Sequence, residues 1–163
     1  MRLVLLLASV ALLWAETSAG LKWTAPPGWV YKGEAPMRAA QYTVGDAECV
    51  VYFFGPGQGG TVEANIARWS GQFAAPDGKP AAAKVTKSNV HGLPVTRMDI
   101  SGTYTATGGA AMTSQAPKAA NRMLAAIVEG PGGNLFIKFS GPAKSVAAQV
   151  AAFDGLLASF SKQ

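Results

Sequence analysis

The apolar positions of this chain follow two periods. Glu48 to Phe54 (E-C-V-V-Y-F-F) carries two interleaved apolar sets, Cys49, Val51 and Phe53 against Val50, Tyr52 and Phe54. A strand presents successive side chains to opposite faces, so this one is expected at the centre of a sheet covered on both sides. Thr96, Met98, Ile100 and Tyr104 alternate with Arg97, Asp99, Ser101 and Thr103, the pattern of a strand with one buried and one polar face. Further strands are expected around Trp23 and over Met37–Val44, Lys84–Val90, Arg122–Glu129 and Leu135–Ser140. Turn signals separate them at Pro26-Pro27-Gly28, Gly45-Asp46, His91-Gly92, Gly130–Asn134 and Gly141-Pro142.

Between these strands the period changes. Val62, Ile66, Trp69 and Phe73 recur at spacings of four, three and four, which is a helical stripe. Thr61 is placed to cap that helix through its hydroxyl, and Pro76-Asp77-Gly78 closes the segment. Val146, Val150, Phe153, Leu157 and Phe160 form a second stripe near the chain end. Residues 105–120, rich in Ala, Gly and Thr, read as a long hairpin connection. The hairpin signals are antiparallel and strands do not alternate regularly with helices. The expected class is therefore α+β, an antiparallel β-sheet covered by helices.

The first residues change the picture from fold to location. Met1-Arg2 supplies a positive start, and Leu3 to Trp14 is an apolar run shorter than the roughly 20 residues a membrane span needs. Thr17 and Ala19 fit a small-residue cleavage site. A signal peptide over residues 1–19 and a single domain over 20–163 are expected, with an uncut anchor as the rival reading. No cysteine follows the run, so lipid attachment there is not expected. Export implies a periplasmic or secreted protein.

Composition then removes several functions. The net charge is +5, but no run of adjacent cations occurs; a nucleic-acid partner would more often be met by a clustered basic face. One cysteine, Cys49, cannot make an internal disulfide. With His91 as the only histidine, a metal site lacks its usual three or four ligands. No serine lies in a G-x-S-x-G elbow to recruit His91. Gly55 to Gly60 matches G-x-G-x-x-G between a strand and a helix, with Asp77 downstream. The antiparallel neighbours and the exported setting favour a tight turn over a dinucleotide site, and no cofactor is expected. The carboxylates offer no pair to nominate; Arg97 and Asp99, two apart on one strand face, read as an exposed ion pair.

One polar row stands out. Asn65, Arg68 and Gln72 follow at three and four along the first helix, beside its apolar stripe. Arg and amide side chains give directional hydrogen bonds, so this row is the candidate partner face, set against the plain alternative of a solvated helix side.

The stretch Trp23 to Trp29 (W-T-A-P-P-G-W), the strand, loop and helix from Glu48 to Phe73, the hairpin Arg122 to Ser140 and the closing L-L-A-S-F (Leu156 to Phe160) together resemble the PsbP/Mog1-like group of α/β/α sandwiches. The chain is also similar to short exported proteins of bacteria. The resemblance implies an α/β/α sandwich and a mostly non-enzymatic role, since members of that group bind protein partners in photosynthetic membranes or in nuclear transport. The expected function is an exported, non-catalytic, monomeric domain that recognises a protein partner in the envelope. A carrier of a small apolar ligand between sheet and helix is the runner-up, and a hydrolase the third reading.

Overall fold

The computed structural model describes residues 15–105 and 118–163. The apolar run Leu3–Trp14 and most of the 105–120 connection lie outside the described residues. In chain order the elements are β1 (Ala15–Ser18), β2 (Leu21–Thr24), β3 (Val30–Ala35), β4 (Arg38–Val44), β5 (Ala47–Tyr52), α1 (Val62–Ser70), β6 (Phe73–Ala74), β7 (Lys84–Val90), β8 (Leu93–Tyr104), β9 (Lys118–Gly130), β10 (Gly133–Pro142), α2 (Ala143–Ala147), α3 (Val150–Ala158) and β11 (Ser161–Lys162). The large sheet runs β3-β4-β5-β10-β9-β8-β6, with β7 also on β8, and its strand pairs are antiparallel. β1, β2 and β11 form a small second sheet. The α+β layout is as the sequence implies.

Both faces of the central strands are buried, as the double apolar pattern of Glu48–Phe54 requires. One face carries Cys49, Val51, Leu124, Ala126, Ile137 and Phe139, packed under Val146, Phe153 and Leu156 of α2 and α3 and under Trp23 of the small sheet. The other carries Met98, Ile100, Met123, Ala125, Ile127 and Phe136, packed under Trp69 of α1 and Phe73. Burying each of the larger of these side chains, such as Ile137, Leu124 or Met123, contributes roughly 1.5–3 kcal/mol.

Two helical stripes end sooner than the periodicity suggests. α1 stops at Ser70 with Gly71 as its C-cap, and Phe73 instead pairs with Tyr104 as part of β6. The second stripe is two helices, interrupted at Ala148 and Gln149. Gln149 Oε1 accepts a hydrogen bond from the Trp29 indole at 3.1 Å, and Val146 and Phe153, one on each side of the step, are both in the core. Phe160 lies past the helix end and stacks on Trp23 with centroids 5.2 Å apart.

β1 falls inside the segment whose sequence reads as an export signal. It pairs with β2 along its whole length, and the Ala19 carbonyl accepts from Gly132 N at 3.0 Å. Glu16 sits beside Tyr42, where burial pushes its carboxyl up; the Tyr42 hydroxyl also accepts from Trp23 Nε1 at 3.0 Å. A cut after Ala19 removes this strand and leaves β2 with β11 alone.

The glycine-rich loop is explained by packing. Gly59 has φ +92°, and a Cβ there would lie 2.5 Å from Phe136 Cε2. Only glycine supplies both that conformation and that closeness. β5, which leads into the loop, lies between two antiparallel neighbours, unlike the parallel strands of a dinucleotide fold.

Cys49 is fully buried and its thiol is pushed up by desolvation. It should react with a water-soluble disulfide reagent only after denaturation. Stoichiometric labelling in native buffer would show that β5 opens.

Candidate functional site

The Asn65–Arg68–Gln72 row does not form the uniform solvated face that its spacing suggests. Asn65 is buried, at 1% exposure. Its Nδ2 donates to the carbonyls of Gly59 and Thr61, each at 2.8 Å. The carbonyl of Thr61 also accepts from Asn65 N at 3.1 Å, while the Thr61 hydroxyl accepts from Ala64 N, as a capping residue should. Asn65 is thus the clamp that holds the glycine loop onto α1. The reason is the loop itself, which folds back over the first turn and brings carbonyls needing donors. Gln72 lies past the helix, half-buried, its backbone carbonyl accepting from Thr105 N at 2.8 Å and its Oε1 buried without a partner among the described residues. Of the three, Arg68 alone is exposed, donating to Asn65 Oδ1.

Arg68 belongs to a different group. Lys138 on β10 is half-buried on the α1 face of the sheet, between Ala125 of β9 and Val50 of β5. Desolvation first, and the charge of Arg68 second, lower the pKa of its ammonium to about 8. Further out, Arg38 on β4 lies over the Tyr52 ring at 5.7 Å, donates to Gln41 Oε1 at 2.6 Å and stands 4.0 Å from Glu48. Tyr52 stacks on Phe54, and Phe54 packs on Phe136 beneath α1. The result is an aromatic floor running from Arg38 to the helix.

Position explains the gathering. α1 meets the sheet at Met98, Ile100, Ile127 and Phe136, so it lies over β8 to β10. α2 and α3 pack on the opposite face. Strands β4 and β5 therefore carry no described helix on the α1 side, and their residues there are mixed: Arg38, Gln41, Thr43, Glu48 and Tyr52 around a buried Val50. A bulge between Arg38 and Ala40 turns Arg38 onto this face. Sequence pattern singles out neither Arg38 nor Lys138. Lys138 does leave a signal, a lone cation inside L-F-I-K-F-S.

Two other polar groups are structural or shallow. Arg97 and Asp99, expected as an exposed pair, have side chains only 18% and 19% exposed. Arg122 grips Asp99 through two bonds of 2.9 and 2.7 Å, and Arg97 bonds Asp154 of α3 at 2.9 Å. This chain of charges ties α3 to the sheet, which is why the pair is covered. A cleft of about 350 Å³ at the start of α1 is lined by Thr61, Glu63, Lys87, Thr96, Glu129 and Asn134. His91 is exposed at its turn, its Nδ1 2.8 Å from the Phe160 carbonyl. Among the described residues no cluster of His, Cys, Asp or Glu could hold a metal ion, and no helix is long and apolar enough to cross a membrane.

No protein-family description matches the chain, and no curated protein matches it by sequence. Solved structures do. The cyanobacterial PsbP (CyanoP) of Synechocystis sp. PCC 6803, known from its solution structure, is similar over 96% of each chain, with a TM-score of 0.54 and 13% identity. The fold is PsbP-like. At that identity the likeness concerns the backbone layout, and the PsbP-like fold is the frame on which the cations of this chain sit.

Stability should respond unequally along the first helix. Asn65→Ala removes two buried donors and should cost roughly 1–3 kcal/mol in denaturant unfolding, whereas Arg68→Ala should stay within about 0.5 kcal/mol; equal costs would mean the loop is not held by Asn65. Lys138 governs a pH dependence. Between about 8 and its ordinary 10.5 the unfolded chain binds a proton that the folded chain does not, so its contribution raises stability with pH there. Buried Cys49, Tyr42 and Tyr52, all pushed up, act oppositely above about pH 9. Comparing melting curves of the wild type and Lys138→Met from pH 7 to about pH 9 isolates the lysine's part. The variant should be the more stable near neutral pH, with the gap closing as pH rises; a pH-independent gap would contradict it.

Proposed function

We propose that this PsbP-like protein is an exported, non-catalytic binding domain, periplasmic or secreted, that recognises a protein partner through the bare half of its sheet beside α1. The observation that carries the reading is Arg38 lying over Tyr52, which stacks on Phe54, on the half of the sheet that no described helix covers, with Arg68 of α1 exposed nearby. Arg and Tyr are the side chains that interfaces favour, because each combines apolar area with directional polar groups.

The apolar-carrier reading fits less well. The space between sheet and helices is filled on both sides by large side chains, among them Trp23, Phe139 and Phe153 on one and Trp69 and Phe136 on the other. The hydrolase reading draws no support from the one thiol, which is buried and pushed up by desolvation.

The test is affinity capture from native envelope extract with the wild type, Arg38→Glu and Arg68→Glu, with identification by mass spectrometry. One protein should be enriched by the wild type and lost from both variants. Equal capture by all three would remove this face, a co-purifying lipid would favour the carrier, and turnover of generic esters or peptides would favour the enzyme.

A further inference from the structure

Resting on the exported reading, we infer that a cut after Ala19 opens a slot along β2, and that an extended segment of the protein partner enters it as an added strand, with an acidic side chain turned towards Tyr42. The structure holds this slot in its filled state. β1 lies antiparallel on β2, with Glu16 opposite Trp23 and Ser18 opposite Leu21, and the order β1-β2-β11 makes β2 the middle strand. Ala19 and Gly20 form the two-residue turn between β1 and β2, with φ of 54° and 72°. A cut in that turn removes the only covalent link between β1 and the domain. Without the tether, a strand of 4 residues loses the high effective concentration that keeps it in place.

The walls of the slot do not need β1. Leu21 and Trp23 of β2 are buried, and Trp23 stacks on Phe160. β11 pairs with Leu21 and Lys22 along the other edge, and the Gly20 carbonyl accepts from Gln163 N at 3.1 Å. The edge that β1 leaves is a row of backbone amides and carbonyls beside a buried aromatic, which is a template for another extended chain. β1 also touches β4. There the Tyr42 hydroxyl accepts from Trp23 Nε1 at 3.0 Å and keeps its own hydrogen to donate. Tyr31, exposed on β3, has its ring centroid 5.8 Å from that of Tyr42.

β1 itself defines what fits. Glu16 and Ser18 turn inward, Glu16 towards Trp23 and Tyr42, while Ala15 and Thr17 are exposed. Just past the strand, the Ala19 carbonyl accepts from Gly132 N at 3.0 Å. The matching segment is therefore an extended one with an acid, a small residue two positions later, and a carbonyl one position beyond that. Its own strand does not satisfy the slot fully: Glu16 Oε2 is buried without a partner among the described residues, which offsets part of what the pairing gains.

The probe is the capped pentapeptide Ala-Glu-Thr-Ser-Ala, titrated into the protein beginning at Gly20 and followed by amide NMR. It should bind with a Kd on the order of 1 mM, shifting the amides of β2 and the Trp23 indole. The capped peptide Ala-Thr-Glu-Ser-Ala has the same composition but puts the acid on the outward position. It should bind about tenfold more weakly, the worth of one hydrogen bond to a charged group. A form that keeps residues 15–19 fills the slot with its own strand and should show no shift in β2. The slot is overturned by equal binding of the two peptides, which would be attraction to charge alone, by equal shifts in both forms, or by no shift at about 10 mM peptide. N-terminal sequencing of the exported protein separates this inference from the reading beneath it. An exported protein that keeps residues 15–19 overturns the slot and leaves the exported binding domain standing, whereas failure of export removes both. Envelope capture that is lost in Arg38→Glu but equal for the two forms leaves the bare half of the large sheet as the partner surface and overturns the slot.

Discussion

The structure depends on the need to bury two apolar faces of one set of strands. Val51, Ile137 and Ala126 face one way, Met123, Ala125 and Phe136 the other, and all are essentially inaccessible. A sheet with a single apolar face could leave the other in water. This one needs a cover on each side, and antiparallel strands joined by short turns leave only the remaining segments to provide it. α1 closes one side; α2, α3 and the small sheet close the other.

The two covers are unequal, and that inequality creates the candidate site. α1 is a nine-residue helix, too short to span the whole sheet. Where it ends, the sheet face changes from Phe136 and Ile127 to Arg38, Gln41 and Glu48. Lys138 stands near that boundary, half-buried and partly desolvated, while Arg68 of α1 is exposed. A cation at the edge of a covered region keeps enough solvent to stay charged near neutral pH, yet remains poorly enough hydrated to gain from an added anion.

Polar groups inside the covers hold layers together. The Arg97–Asp154 bond and the Arg122–Asp99 pair fasten α3 to β8 and β9. Asn65 fastens the glycine loop to α1, and Gln149 fastens the α2–α3 step to Trp29. Each is a polar side chain whose covalent surroundings leave a donor or acceptor to satisfy. Removing such a group strands its partner, which makes these residues costly to change although they stand beside, not in, the apolar core.

Local pattern determined a great deal here. The double apolar period of Glu48–Phe54 placed β5 inside the sheet, the Thr61 hydroxyl and the stripe through Trp69 located α1, and the alternation after Thr96 set which side of β8 carries Met98 and Ile100 towards α1. These follow from geometry that any few residues of strand or helix already possess. Tertiary structure decided what pattern leaves open. Asn65 has the spacing of an exposed row but turns inward, where it bonds the carbonyl of Gly59, in the loop packed on Phe136, and that of the N-cap Thr61. The second stripe reads as one helix but breaks at Ala148 and Gln149, where Trp29, distant in sequence, binds the Gln149 side chain. Lys138 is half-buried because β10 lies on the face that α1 covers, and its sequence signature is one lysine among large apolar neighbours. Periodicity reports which face a residue is on; only the folded chain determines what stands opposite that face.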